Sequence, residues 1–169
     1  MLRFYLLRHA KSSWAEPGRP DFDRGLNDRG NEDLPKIAAA MHEKNYLPDH
    51  VICSPTLRTR LTLHGIMSAF ERPPTVDYAE ALYSEGVTGY LECLRGHSRP
   101  ESVMIIGHNP MCEAFSMALA GSGAARPLAT MKEKFPTGAL AVFDVDVAEW
   151  AQTENGSGHL VDFLMPRDL

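Results

Sequence analysis

Cysteine is scarce in this 169-residue chain, and the three present, Cys53, Cys93 and Cys112, are an odd number in apolar or helical-looking stretches. That pattern argues against a disulfide framework and for reduced thiols in or near the core of a protein from a reducing compartment. Long hydrophobic runs are missing too. The first apolar stretch, Phe4 to Leu7, is broken by Arg8 well short of a signal-peptide core or a membrane span, so a cytoplasmic protein with no membrane partner is expected. A basic excess is also absent: 17 Lys and Arg stand against 22 Asp and Glu, a formal net charge of -5, which excludes a general nucleic-acid binder. No internal repeat or low-complexity tract appears. At 44% hydrophobic and 23% charged residues, the chain has the composition of one globular domain spanning 1–169, long enough to bury a core unaided.

What is there is a repeated local grammar: an apolar run, a polar tip, then a helix-forming stretch. In "DHVICSPTLRTRLTLHGIMSAF", Val51 to Cys53 reads as a strand, with Ser54 as N-cap and Pro55 as first helical residue. Leu57, Leu61, His64 and Met67 or Ser68 then repeat at helical spacing, and Arg58 falls in the first turn. In "SVMIIGHNPMCEAFSMALAG", Val103 to Ile106 is apolar throughout, as in a strand covered on both faces. Asn109 suits the cap of the helix that follows, Pro110 its first position and Gly121 its stop. The third case opens the chain: strand Leu2 to Leu7 leads through a loop, Lys11 to Asp28, into a helix around Arg29 to Lys44, where Pro35 marks either a kink or the real start.

A weaker strand at Thr75 to Tyr78, a helix at Val87 to Arg95 and late strands at Ala139 to Val145 and His159 to Met165 complete the pattern. The last two flank "ENGSG" and read as an antiparallel edge hairpin. Strands alternating with helices predict an α/β fold with a mainly parallel sheet.

In such sheets ligands bind beyond the carboxyl ends of the strands. The three tips would bring Arg8 and His9, Arg58, and His108 together there. Two guanidiniums and two imidazoles beside helix N-termini suit a compact dianion, phosphate first. An imidazole adds chemistry, since its neutral form can attack phosphorus and carry the phosphoryl group covalently. Like-charge repulsion from Arg8 and Arg58 would keep it unprotonated near neutral pH.

"LLRHAKSSW", "SPTLR" and "GHNP", in that order, resemble the histidine phosphatase superfamily, whose signature is Arg-His-Gly or Arg-His-Ala after the first strand. "DFDRGLNDRG", "PTGALAVFDVD" with Trp150 beyond it, and "PRDL" extend the resemblance to its SixA-type phosphohistidine phosphatases over nearly the whole chain. The resemblance implies a phosphoglycerate mutase-like three-layer sandwich, with an antiparallel edge and no large lid insertion, because Phe70 to Ser102 is too short for one. It also implies His9 as nucleophile, Arg8, Arg58 and His108 as the phosphate pocket, and neither metal nor organic cofactor. The substrate would be a phosphorylated protein, with small phosphomonoesters as the alternative.

Two departures stand out. Where many relatives carry Leu-x-Glu with a catalytic acid, this chain reads "EALYSEG", with Ser84 at the matching position and Glu80 and Glu85 beside it. Glu85 is the candidate acid. An alkoxide needs protonation to leave, whereas imidazole, with an ordinary pKa of about 6.5, departs more readily, so the change favours a phosphohistidine substrate. The Ala and Gln that usually follow the Ser-Pro-x-x-Arg segment are Thr59 and Leu61, and Leu61 fits the apolar helix face.

Each site residue has a plain alternative: a half-buried hydrogen-bonded histidine for His9 or His108, an exposed helix arginine for Arg58. Their joint appearance at three strand ends favours the site. Lys11 is a candidate substrate contact, although loop lysines are mostly solvated. Arg19, Arg24 and Arg29 alternate with Asp21, Asp23 and Asp28 and read as a salt-bridged loop, with substrate contact by Arg24 a minor alternative. His42, His50, His64, His97 and His159 show no paired zinc spacing.

Overall fold

The computed structural model describes residues 1–14 and 16–169. Seven strands form one sheet: β1 (Leu2–Arg8), β2 (His50–Cys53), β3 (Thr75–Tyr78), β4 (Ser102–Gly107), β5 (Ala120–Gly123), β6 (Leu140–Val145) and β7 (Gly158–Leu164), in the order β3-β2-β4-β1-β6-β7-β5. β1, β2, β3 and β4 are mutually parallel, and β6 runs against both β1 and β7, so it alone opposes the others. The late hairpin is therefore present, but the edge beyond it belongs to β5, a strand that the sequence does not announce.

Alternation along the strands divides the core. Phe4, Leu6, Ile52, Val103 and Ile105 face one side, where α3 (Ala81–Ser84), α4 (Gly86–Arg95), α5 (Met111–Leu119) and α6 (Ala125–Glu133) cover them. Tyr5, Leu7, Val51, Met104 and Ile106 face the other, under α1 (Asp28–Glu43) and α2 (Leu57–Ile66). The result is three layers, with β1 and β4 covered on both sides as their unbroken apolar runs require. The segment from 70 to 102 supplies only β3, α3 and α4 besides its connections, as expected for a chain without a lid insertion.

Several boundaries move, each for a local reason. α1 begins at Asp28 and runs through Pro35, so the proline is not its start: Asn27 accepts from Gly30 N at 2.9 Å, and Pro35 is exposed, where water can satisfy the carbonyl it leaves free. Ser54 does not cap α2, which begins at Leu57 after Thr56, because the Ser54 side chain is engaged with His108. The inward face of α2 is Arg58, Thr59, Thr62, Leu63 and Ile66, whereas Leu61 is 37% exposed. The buried threonines are tolerated because Thr59 donates to Ser54 O at 2.6 Å and Thr62 to Arg58 O at 2.7 Å. α5 starts at Met111 rather than Pro110, although Asn109 Oδ1 does accept from Glu113 N. It stops at Leu119, and Gly121 belongs to β5 rather than to a helix end.

The thiols of Cys53 and Cys112 are buried and unbridged, and burial pushes both up to about 12. Among the described residues no helix is long and apolar enough to cross a membrane.

β4 ends against α4 at one tight contact. Tyr90 is fully buried, its hydroxyl accepts from His108 N at 2.8 Å, and a Cβ on Gly107 would collide with its ring. Gly107→Ala should therefore displace Tyr90 and destabilise the fold by about 1–3 kcal/mol, read as a lowered urea midpoint with an unchanged slope.

Candidate active site

The ends of β1, β2 and β4 are fastened to one another by main-chain bonds that continue past the strands. His9 N donates to Gly107 O at 3.0 Å and Ser54 N to Ile106 O at 3.0 Å, while Gly138 N reaches the carbonyls of both Arg8 and His9. Ala10 N is held by the Thr62 hydroxyl of α2 at 3.0 Å. These ties form one rim, and on it opens a cleft of about 440 Å³.

Arg8, His9, Lys11, Arg58 and His108 all line that cleft. His9 and His108 lie with ring centroids 5.4 Å apart, and each is nearly buried, as is Arg58. Arg8 donates to Phe135 O at 2.9 Å, which aims the guanidinium across the β1 tip. Glu80 and Glu85 are exposed and are not among the lining residues; Tyr83, between them, is.

Seven further lining residues escaped the sequence reading as parts of the site: Ser12, Trp14, Asp21, Tyr83, Asn109, Met111 and Thr137. Arg24, a minor alternative in the sequence, lines the cleft as well. Asp21 organises much of this wall. Its backbone carbonyl and carboxylate accept from Arg58 at 2.7 and 3.0 Å, and its carboxylate also accepts from Tyr83 at 2.9 Å and Arg24 at 3.0 Å. Burial alone would raise its pKa, but these bonds hold it down to about 2. The acid-base alternation of the loop suggests simple salt bridging; no spacing rule tells that one carboxylate would reach Arg58 across the cleft.

Four cationic side chains, Arg8, Lys11, Arg24 and Arg58, thus face one carboxylate in a chain of net charge -5. The imbalance is local and favours a dianion. Buried Arg8 Nε, Arg58 Nε and His108 Nδ1 have no hydrogen-bond partner among the described residues.

The imidazoles are held neutral. Burial is the largest cause for His9 and lowers it to about 4, with Arg58, Arg8 and Arg24 adding repulsion; the sequence reading had credited the arginines alone. Burial likewise takes His108 to about 3, assisted by His9 and Arg58. His9 Nδ1 lies 2.7 Å from Ala10 O. A carbonyl can only accept, so Nδ1 carries the proton and Nε2 keeps its lone pair. His108 Nε2 pairs with the Ser54 hydroxyl at 2.8 Å. A neutral imidazole with a fixed lone pair, set among guanidiniums, can attack an electrophilic phosphorus and have the displaced charge stabilised.

The profile of the histidine phosphatase superfamily (branch 1) matches residues 4–82. An uncharacterized protein of Mycobacterium leprae is 33% identical over 167 residues, covering 95% of this chain and all of that protein, 100%. A solved structure from Agrobacterium tumefaciens, named for the phosphohistidine phosphatase SixA, is 36% identical with a TM-score of 0.83 over 98% of both chains. The protein histidine phosphatase SixA complexed with tungstate shares the fold at a TM-score of 0.78 and 19% identity, covering 99% of each chain.

Neutral burial makes stability depend on pH. In the unfolded chain both histidines take up protons near pH 6.5, whereas in the folded one they do so only near 4 and 3, so the unfolded state binds more protons in between. Their contribution is fully present above about pH 6.5 and is lost as pH falls from there through the folded values. His108→Gln should flatten the fall of the denaturation midpoint near pH 5 by about one proton's worth of slope; an unchanged slope would contradict the burial argument.

Proposed function

This chain belongs to the histidine phosphatase superfamily, in its SixA-type group, and on that premise we propose that it hydrolyses phosphohistidine carried by a protein partner. The phosphoryl group passes through a covalent phosphohistidine on His9. The observation that carries this reading is the His9 ring itself: Nδ1–H tied to Ala10 O at 2.7 Å, with Nε2 free in a cleft lined by Arg8, Arg58 and His108.

In the first step the Nε2 lone pair forms a bond to phosphorus as the substrate's P–N bond breaks. A substrate ring protonated on its other nitrogen leaves as neutral imidazole, so no carboxylic acid is required. Arg8, Arg58 and His108 hold the phosphoryl oxygens while charge redistributes. In the second step water attacks phosphorus, the P–N bond to His9 breaks, and inorganic phosphate is released. The route uses no metal or organic cofactor.

Two features support a protein-borne substrate. Glu80 and Glu85, the carboxylates that a phosphomonoesterase would need as acid, lie outside the cleft wall. Trp14, 78% exposed at the cleft and stacked on Arg24 at 3.8 Å, offers an aromatic surface beside the reacting centre for a partner's side chains. Lys11 sits on the same rim and would meet phosphate or partner carboxylates.

His9→Ala should reduce release of phosphate from a phosphohistidine peptide by about three orders of magnitude or more, with the fold retained by circular dichroism. Rapid quenching of the unaltered enzyme should trap an acid-labile, base-stable label on His9. Glu85→Gln should leave turnover of the peptide unchanged. A selective loss on alkyl phosphates would instead identify Glu85 as an acid and small phosphomonoesters as the substrate class.

A further inference from the structure

Away from the cleft, His50, Asp77 and His97 converge at the β3 edge of the sheet. We propose that these three side chains form a binding site for one divalent transition-metal ion, Zn²⁺ by chemistry. One donor atom from each lies within 4.8 Å of the others. His50 Nε2 is 2.9 Å and His97 Nε2 3.5 Å from the same oxygen, Asp77 Oδ2, and the two imidazole centroids are 4.5 Å apart. Donors on a tetrahedral zinc with bonds near 2.0–2.1 Å are separated by about 3.3 Å, so the cluster needs only small side-chain adjustments to close on the ion.

The tautomer of His97 points the same way. Its Nδ1 lies 2.8 Å from Cys93 O and must donate to that carbonyl, which leaves the neutral ring with a lone pair at Nε2. That lone pair faces a carboxylate oxygen, an acceptor facing an acceptor. Only a cation between them, a proton on His97 or a metal, makes the contact favourable. A ligating histidine whose other nitrogen donates to a backbone carbonyl is how zinc sites fix ring orientation. Two neutral imidazoles and a carboxylate are a donor set for zinc, with a position left for water.

The surroundings agree. His50 and His97 are mostly buried at their rings, while Asp77 is open to solvent and gives the ion a path. The hollow beside His50 also holds Asp49 and Glu101 against Arg99, a negative balance. The ligands come from β2, from β3 and from the turn after α4, elements far apart in sequence, which is why no paired spacing announces the site. Zinc here would fasten the exposed edge strand to the helix that carries Tyr90. It lies at the start of β2, four residues and about 13 Å from the Ser54 tip, and takes no part in phosphoryl transfer.

The test is calorimetric titration of the full chain with Zn²⁺ alone, alongside thermal melting with and without the ion. The expected result is one ion per chain and a raised Tm. His50→Gln, Asp77→Asn and His97→Gln should each weaken affinity by about tenfold or more, while His42→Gln and His64→Gln change nothing. These are near-surface substitutions, and unchanged aryl phosphate turnover in each verifies folding. The proposal is overturned if Zn²⁺ gives no saturable heat, if binding survives the three ligand substitutions, or if it disappears with His9→Ala, which would put the ion in the phosphate cleft.

Discussion

The hydrogen bond from His9 Nδ1 to the Ala10 carbonyl governs everything this site can do. It decides which nitrogen keeps its lone pair, and it does so with the neighbouring residue's own backbone, so the choice survives any movement of side chains around it. Burial then removes the competing proton, because a charged imidazole in this position would lose its hydration among guanidiniums that repel it. The same arginines that discourage protonation of the ring also leave positive charge in the cleft, which around a neutral ring can be offered to an anion.

The rim of main-chain bonds and the loop between β1 and α1 divide the remaining work. The rim sets positions: His9, Ser54 and His108 stand on strand ends that are locked to one another. The loop sets charge. Asp21 occupies Arg58, Arg24 and Tyr83 together, so an arriving phosphate competes with a carboxylate for Arg58. That competition would temper the affinity of a strongly cationic pocket for any anion it takes up.

Much of this was legible in the sequence. The apolar runs of β1 and β4 and the polar residues ending them pointed to the parallel sheet and to Arg8, His9 and His108 of the cleft, because burial on both faces leaves an unmistakable pattern, and the strand-tip-helix grammar after β2 added Arg58. The reading of α2 was less secure. Leu57, Leu61 and His64 made a plausible apolar stripe, but the inward face carries Thr59 and Thr62, whose hydroxyls are satisfied by nearby carbonyls that composition does not reveal. β5 was missed because "AGSG" has no strand-forming character and pairs only at the edge. Asp21 and Tyr83 were missed since their roles depend on where a loop and a short helix fold back, information held in no local spacing.

The state of the cysteines carries one more consequence. Oxidants attack thiolates, and burial that pushes Cys53 and Cys112 up to about 12 keeps both protonated at neutral pH. No thiol stands among the described residues of the cleft wall. Phosphatases that use a cysteine nucleophile are silenced by peroxide at the atom that does their chemistry; the described wall of this cleft presents two imidazoles and no thiolate, so peroxide meets no nucleophilic cysteine there.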